Sequence, residues 1–319
     1  MIARFIGGVG AALLVAASST VFGQDFPTKP IRMLTGGVGG GADIAARIIA
    51  GAMTQSLSNS TIVENRGSGY GPGLALMRGS PDGYTVMYTT GIFWIMPLIE
   101  KGAPYDALGD FSPVTMALTY PNVLLVHPSL PVKTVKDLIE LAKAKPGALN
   151  YGSTATGGSA HIAGEMLKSM AGIDIVRVNY NGGGPALTDL LGGRIQIYFA
   201  TSLSADSYLK SGKLKALGVT SEKPFVLLPN LPTLAATGLP GYQVDSVTGI
   251  FAPQKTPAAI VDKLNRAIVG VLHNPALREK FQATGADTVG DTPQEFSAAL
   301  KAEVARLSKL VKDANITAD

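Results

Sequence analysis

Glycine-rich turns that lead into helices recur along this chain, each after a short apolar run. Four such turns occupy residues 36–41, 67–73, 156–159 and 181–185. A helix N-terminus carries about half a positive charge and several unpaired N–H donors, and a turn without side chains lets an anion approach those donors closely. Several such turns around one cleft predict a receptor for a carboxylate or a phosphate.

Strand-like and helix-like patterns alternate along the chain. Strands are predicted at 31–34, 61–64, 84–88, 122–127, 149–153, 175–178, 195–199, 214–219 and 246–252,. Helices are predicted at 43–57, 74–78, 134–145, 159–170, 185–191, 205–210, 257–272, 275–283 and 293–314,. Ile44, Arg47, Ile48 and Gly51 supply the helical spacing of the first helix, and Thr134 with Asp137 caps the third. This order predicts an α/β fold with mostly parallel sheets covered by helices on both faces.

The number of strands favours two lobes over one open sheet. Ligand sites in such sheets lie beyond the C-terminal ends of the strands. Because all four glycine turns follow predicted strands, they are expected to converge on a cleft between the lobes.

The N-terminus has the pattern of a secretory signal peptide. Arg4 precedes an apolar run at 5–17, small residues follow, and Gly23 ends the segment ahead of Gln24,. We expect residues 1–23 to be removed after Gly23 and the mature protein to be periplasmic. The chain has no Cys, which excludes a lipoprotein anchor, disulfide bonds and thiol chemistry.

The charge distribution does not favour nucleic-acid binding. The formal net charge is +4, and the Lys residues are spread along the predicted helices. Such a distribution is typical of solvated helix faces rather than of a basic stripe. We therefore expect no nucleic-acid partner.

Two residue patterns allow an enzyme interpretation. The run Gly37-Val38-Gly39-Gly40-Gly41-Ala42 matches the dinucleotide fingerprint, with Glu64 where a ribose-binding acid belongs,. His161 could pair with Ser153 or Ser159 as the base and nucleophile of a hydrolase. However, predicted export separates the chain from nicotinamide cofactors, and the sequence has no hydride-transfer residues, nucleophile elbow or metal-ligand spacing. We expect no catalytic residue, metal or cofactor, and keep a secreted dinucleotide-binding oxidoreductase as the alternative function.

Three aromatic residues leave two interpretations open. Trp94, the one Trp of the chain, follows the third predicted strand, and Tyr70 and Tyr180 each adjoin a glycine turn. Each ring fits either a lobe core or a wall of the cleft. If they line the cleft, the ligand has a bulky or planar body, such as an aromatic carboxylate. Asp43 is expected to be the N-cap of the first helix and to order the first turn.

A set of short motifs resembles a known family. The motifs are Pro27-Thr28-Lys29-Pro30-Ile31-Arg32, Gly40-Gly41-Ala42-Asp43, Val63-Glu64-Asn65-Arg66, Ser80-Pro81-Asp82-Gly83-Tyr84-Thr85, Pro121-Asn122-Val123-Leu124, Ala186-Leu187-Thr188-Asp189-Leu190-Leu191-Gly192-Gly193, Gly212-Lys213-Leu214-Lys215-Ala216-Leu217, Leu231-Pro232-Thr233 and Gly238-Leu239-Pro240-Gly241. In this order they resemble the periplasmic solute-binding proteins of tripartite tricarboxylate transporters, the Bug-type receptors. One departure is the stretch Thr35-Gly36-Gly37-Val38, which is one residue shorter than usual and lacks the family's Pro-Phe element.

The resemblance implies a fold and a site. The fold is the two-lobe periplasmic binding protein, or Venus flytrap, with lobe 1 at 24–121, lobe 2 at 122–243, and a return to lobe 1 with C-terminal helices at 244–319. The lobes would close on a small carboxylate held by backbone N–H groups and hydroxyls. The implied ligand-binding residues are Gly37, Val38, Gly39, Gly40, Gly41, Ala42, Asp43, Thr90, Trp94, Ser153, Thr154, Thr156, Gly157, Gly158, Ser159, His161, Tyr180, Gly182, Thr201 and Ser202.

Together these features predict a receptor rather than an enzyme. We expect a monomer that captures a small organic anion and passes it to integral-membrane transporter subunits.

Overall fold

The computed structural model describes residues 26–38, 41–67, 69–153, 156–180, 182–313 and 316. The predicted signal peptide and three predicted site residues, Gly39, Gly40 and Thr154, lie outside the described residues. The strands are β1 (Ile31–Thr35), β2 (Thr61–Asn65), β3 (Thr85–Thr90), β4 (Phe111–Val126), β5 (Asn150–Ser153), β6 (Val176–Asn179), β7 (Ile197–Thr201), β8 (Lys215–Val219), β9 (Asp245–Pro253) and β10 (Asp287–Thr288).

Helices follow most of the strands. They are α1 (Gly41–Leu57), α2 (Gly71–Met77), α3 (Ile92–Ile99), α4 (Val135–Ala144), α5 (Ser159–Ala171), α6 (Gly183–Leu191), α7 (Ser202–Lys210), α8 (Ala258–Leu272), α9 (Pro275–Gln282) and α10 (Pro293–Asp313). The predicted cap of α4 is confirmed: Asp137 N donates to Thr134 Oγ1 at 3.1 Å, and Thr134 N donates to Asp137 Oδ2 at 3.0 Å. Within the described ranges, no helix is both long enough and apolar enough to cross a membrane.

The strands form the sheets of two lobes that share β4. In lobe 1, β1 lies between β2 and β3 in parallel, and β9 pairs antiparallel with both β3 and β4. In lobe 2, β5 lies between β6 and β7 in parallel, while β7 and β8 both pair antiparallel with β4. Each lobe therefore has a block of parallel strands. The antiparallel pairings all involve β4 or β9, which are called the crossing strands below.

The crossing strand β4 changes partner at one point. Pro121 lies opposite Asp245 of β9, whereas the next residue, Asn122, lies opposite Thr201 of β7. The predicted lobe limits, 24–121, 122–243 and 244–319, remain a prediction.

Two apolar clusters pack on opposite faces of the lobe 1 sheet. Ile31 and Met33 face one cluster, which includes α1 and α8, whereas Leu34 faces the other. This division follows from the alternation of side chains along a strand. The second cluster also contains α3 and α10 and continues into lobe 2.

Besides the two-residue strand β10, two elements were not predicted from sequence. The first part of β4 carries Pro113, and register shifts beside it accommodate a residue that cannot donate to the sheet,. Helix α3 contains Pro97, which lacks the N–H that would bond Phe93 O; the Tyr105 hydroxyl donates to that carbonyl at 3.2 Å instead,. Both elements depend on contacts from distant parts of the chain.

Candidate functional site

A cavity of about 580 Å³ lies between the lobes, bounded by the starts of α1, α3, α5 and α6 and by the crossing strands. Its lining includes part of the predicted site: Gly41, Ala42, Thr90, Gly158, Ser159, Gly182 and Thr201. Three of the four glycine turns therefore contribute to one cavity. Among the described residues, the turn at 67–73 contributes none.

The first turn, between β1 and α1, is tied to β2 by Asn65. The Asn65 Nδ2 group donates to Gly36 O at 2.7 Å and to Asp43 Oδ1 at 2.9 Å. Asp43 is 3% exposed and forms an ion pair with Arg47 at 2.9 Å. The expected N-cap role is wrong, because α1 begins at Gly41 and Asp43 lies within its first turn. In the first turn of α1, the Asp43 carboxylate instead interacts favourably with the positive end of the helix dipole,. The buried Asp43 carboxylate holds the first turn in place through its hydrogen bond with Asn65 and its ion pair with Arg47.

The second turn, between β5 and α5, is held by Arg177 of β6. Arg177 Nε donates to Ser153 Oγ and Arg177 Nη2 donates to Thr156 Oγ1, both at 2.8 Å. A hydroxyl that accepts from a guanidinium retains its own proton for another acceptor. Arg177 was not predicted as a site residue, because a single Arg in a short strand is typical of a solvent-facing side chain.

His161 supports the same turn from inside lobe 2. Its side chain is buried, and its Nδ1 accepts a hydrogen bond from Gly157 N at 3.1 Å. Burial, together with the positive charges of Arg177 and Lys168, lowers the pKa of His161 to about 3. A neutral acceptor held in this way positions the turn and does not supply a cation to a ligand.

We expect His161→Asn to remove a pH dependence of the free energy of unfolding. An unfolded His titrates near about pH 6.5, so the unfolded chain binds more protons than the folded one below that value. Stability should fall by about 1.4 kcal/mol per pH unit as the pH decreases from about 6.5 toward about 3. The Asn side-chain oxygen still accepts from Gly157 but does not titrate. Urea unfolding at several pH values measures the difference, and parallel curves for the two proteins would contradict a neutral buried His161.

Gly157 brings the second turn against lobe 1. Its φ is +78°, and a Cβ placed there would lie 3.3 Å from Ile95 Cγ2 and from Ile99 Cδ1 of α3. Only glycine combines this backbone angle with such a close approach. The two lobes therefore touch at the rim of the cavity.

Tyr180 and Ser202 take part in other contacts. The Tyr180 hydroxyl donates to Asp189 Oδ2 at 3.0 Å, and burial with this carboxylate raises the pKa of Tyr180 to about 12. The Ser202 hydroxyl donates to Gly285 O at 3.0 Å, which links α7 to the segment before β10. Among the described residues, the predicted positions outside the cavity lining are Gly37, Val38, Asp43, Trp94, Ser153, Thr156, Gly157, His161, Tyr180 and Ser202.

The aromatic residues near the turns pack against the core. Trp94 is 2% exposed, and its ring centroid lies 6.4 Å from that of Phe251. Tyr70 packs edge-on against Tyr105 at 5.3 Å. Of the two interpretations left open by the sequence, these contacts match core packing.

The Glu64 carboxylate accepts hydrogen bonds from two guanidinium groups. It accepts from Arg32 Nε at 2.6 Å and Nη2 at 2.9 Å, and from Arg66 Nη2 at 2.6 Å. The hydrogen bond from Arg32 is the main reason that the pKa of Glu64 is lowered to about 2. Both carboxylate oxygens of Glu64 are therefore paired with guanidinium groups of the chain itself.

Asn122 joins the second turn to both crossing strands. Its Oδ1 accepts from Ser159 at 3.2 Å and from Ser246 at 3.4 Å, and its Nδ2 donates to Val244 O at 3.3 Å. The side chain is fully buried. A single amide thus connects the start of α5 with the strands that link the lobes.

Charged residues line the far side of the cavity, at the crossing strands and C-terminal helices. Arg306 forms a two-point contact with Glu303 at 2.8 and 2.9 Å, and Asp245 lies nearby. Burial raises the pKa of Asp245. The Asp245 Oδ2 accepts from Gln243 at 3.0 Å.

Comparisons with known proteins agree with this geometry. The family model described as tripartite tricarboxylate transporter family receptor matches residues 45–316. The chain is 31% identical to protein BugT of Bordetella pertussis over 98% of this chain and 96% of that protein.

Solved structures share the fold over nearly their whole length. Rpa4515 of R. palustris with adipate has a TM-score of 0.86 and 34% identity, covering 92% of this chain and 99% of that one. MatC from Rhodopseudomonas palustris with bound malate has a TM-score of 0.82 and 27% identity, covering 90% of this chain and all of that one (100%). The predicted two-lobe α/β fold is confirmed by these matches.

Proposed function

Because the chain belongs to the tripartite tricarboxylate transporter receptor family, we propose that it is a periplasmic receptor that captures a small organic carboxylate for a membrane transporter. One observation carries the proposal: glycine turns from both lobes line one cavity. A ligand that contacts both lobes stabilises the closed arrangement. The structures with adipate and malate support a carboxylate as the ligand.

We infer that one carboxylate is held by backbone N–H groups at the starts of α1 and α5, around Gly41 and Gly158. Thr90 and Thr201 line the same cavity, and their hydroxyls can donate to an anion, whereas the Ser159 hydroxyl donates to Asn122,. His161 and Arg177 keep the second turn in place. These residues bind and orient the ligand and perform no chemistry on it.

The proposal also covers the export, the oligomeric state and the membrane partner of the receptor. Residues 1–23 direct export and are removed, the mature protein acts as a monomer, and integral-membrane subunits receive the ligand. The family match supports a membrane partner. The rival function, a secreted dinucleotide-binding oxidoreductase, is not favoured, because the matching family model describes a transporter receptor.

Thermal unfolding in the presence of candidate ligands tests this function. A dicarboxylate should raise the melting temperature, because a ligand at about a hundredfold excess over its Kd stabilises the folded state by about 2.7 kcal/mol. Adipamide replaces both carboxylates of adipate by neutral amides and should have no effect. NAD should also have no effect. Stabilisation by NAD without stabilisation by any carboxylate would overturn the proposal.

A further inference from the structure

Helix α1 has an apolar surface outside the lobe core. Its core face consists of buried residues that include Ala46, Ile49 and Met53. Ile44 lies off that face, lines the cavity and is 47% exposed. Val38, in the turn that precedes the helix, is 79% exposed. Two large aliphatic side chains are therefore exposed beside the candidate carboxylate site.

Aliphatic side chains from other elements continue this surface around the cavity. Ile48 of α1 and Ile92 of α3 line it and are half-buried, whereas Ile162 of α5 and Leu187 of α6 line it with side chains that are only 1% and 3% exposed. The four residues come from both lobes. A ligand anchored at the glycine turns would have its carbon skeleton next to the accessible members, Ile44, Ile48 and Ile92.

Charged groups lie elsewhere in the lining. Among the described residues, the charged lining residues are Asp245, Lys280, Glu303 and Arg306, which belong to β9, α9 and α10. The walls formed by α1, α3, α5 and α6 contribute backbone groups, one hydroxyl from Ser159, and aliphatic carbon, whereas the other hydroxyl-bearing lining residues, such as Tyr120, Tyr198 and Ser246, lie on other elements. At these walls, a hydroxyl on the ligand skeleton would be desolvated and would contact methyl groups, which cannot form a hydrogen bond with it.

We propose that the ligand is a carboxylate with an unhydroxylated apolar skeleton; this rests on the proposed function and names its substrate class. Burial of methylene groups against Ile44 and its neighbours favours binding. A hydroxyl without a partner in the same place disfavours it, because the group is desolvated without compensation. Recognition is by hydrogen bonds at the anchored carboxylate and by apolar contact along the skeleton.

Adipate and galactarate provide a matched pair of probes. Both are six-carbon dicarboxylates with equal charge, and galactarate carries a hydroxyl on each internal carbon. Isothermal titration calorimetry should show adipate binding at least about 100-fold more tightly than galactarate. Equal affinities, or tighter binding of galactarate, would overturn the inference while leaving the carboxylate receptor intact. If neither these nor malate, citrate and benzoate bind, the proposed function fails as well.

A variant pair tests whether Ile44 contacts the ligand. Ile44→Thr should weaken adipate binding about three- to tenfold and leave galactarate binding unchanged or improved. Ile62→Thr is the matched control, since Ile62 is 50% exposed in the same lobe and does not line the cavity. It should bind both ligands as the wild type does. Circular dichroism melting checks that both variants fold.

The pattern across ligands separates two roles of Ile44. If Ile44 only packs against lobe 2 on closure, Ile44→Thr weakens every ligand by the same factor, and the proposed contact is wrong. If Ile44 contacts the skeleton, the ratio of adipate affinity to galactarate affinity falls. An unchanged ratio in Ile44→Thr would therefore contradict the inference.

Discussion

Replacing Gly41 by Phe is expected to abolish carboxylate binding while the protein remains folded. Gly41 lines the cavity at the start of α1, and among the described residues no atom lies within 4 Å of a Cβ placed there. The phenyl ring would occupy the space in which a carboxylate approaches the helix N-terminus. We expect affinity to fall by more than about 100-fold, which corresponds to about 2.7 kcal/mol of binding free energy.

Gly51 provides a matched control for this prediction. It lies in the same helix, is exposed, and has the same open surroundings. Gly51→Phe should bind adipate within about twofold of the wild type, because a surface substitution far from the site rarely matters. Both replacements raise helix propensity, so neither should lower the melting temperature. Calorimetric titration with full binding by Gly41→Phe would show that the first turn does not hold the ligand.

Replacing Arg177 by Met is expected to weaken carboxylate binding by about 10- to 100-fold. The substitution removes two hydrogen bonds of 2.8 Å, to Ser153 and to Thr156, and keeps an aliphatic side chain of similar length. A hydrogen bond to a charged group contributes about 1.5–3 kcal/mol. Without Arg177, the second turn is free to leave the arrangement that presents its donors to the cavity, and ordering it on binding then costs affinity.

Arg194→Met controls for the loss of one positive charge from lobe 2. The Arg194 side chain is 77% exposed and pairs with Asp189 at 2.8 Å on the surface. Such exposed pairs contribute little, so affinity should stay within about twofold of the wild type. Calorimetric titration and thermal melting of both variants separate binding from folding. Equal affinities of the two variants would contradict a positioning role of Arg177 in the second turn.

In the proposed receptor, backbone groups and side chains recognise different parts of the ligand. In this proposal, backbone N–H groups at the glycine turns recognise an anion, and Ile44 and its neighbours, which line the cavity, select the carbon skeleton. His161 and Arg177 hold the second turn in place from within lobe 2.

Several site residues could not be placed from sequence. His161 lies near a glycine turn in the chain, which suggested ligand contact, but burial makes it a neutral acceptor for Gly157. Ile44 and Ile48 gave the helical spacing of α1, yet both line the cavity; Ile48 also packs against the core cluster, whereas Ile44 is 47% exposed. Spacing identifies a helix, but it does not show which of two apolar faces meets the core.

The sequence by itself determined the α/β class, most of the strands and helices, and the glycine turns at the ends of strands. These features depend on local patterns: alternation of apolar residues, helix caps, and the backbone freedom of glycine. Only the tertiary structure decided that Trp94 packs in the core, that Arg177 reaches Ser153 and Thr156, and that β4 serves both sheets. These outcomes depend on residues far apart in the chain that meet only when the strands pair and the lobes form.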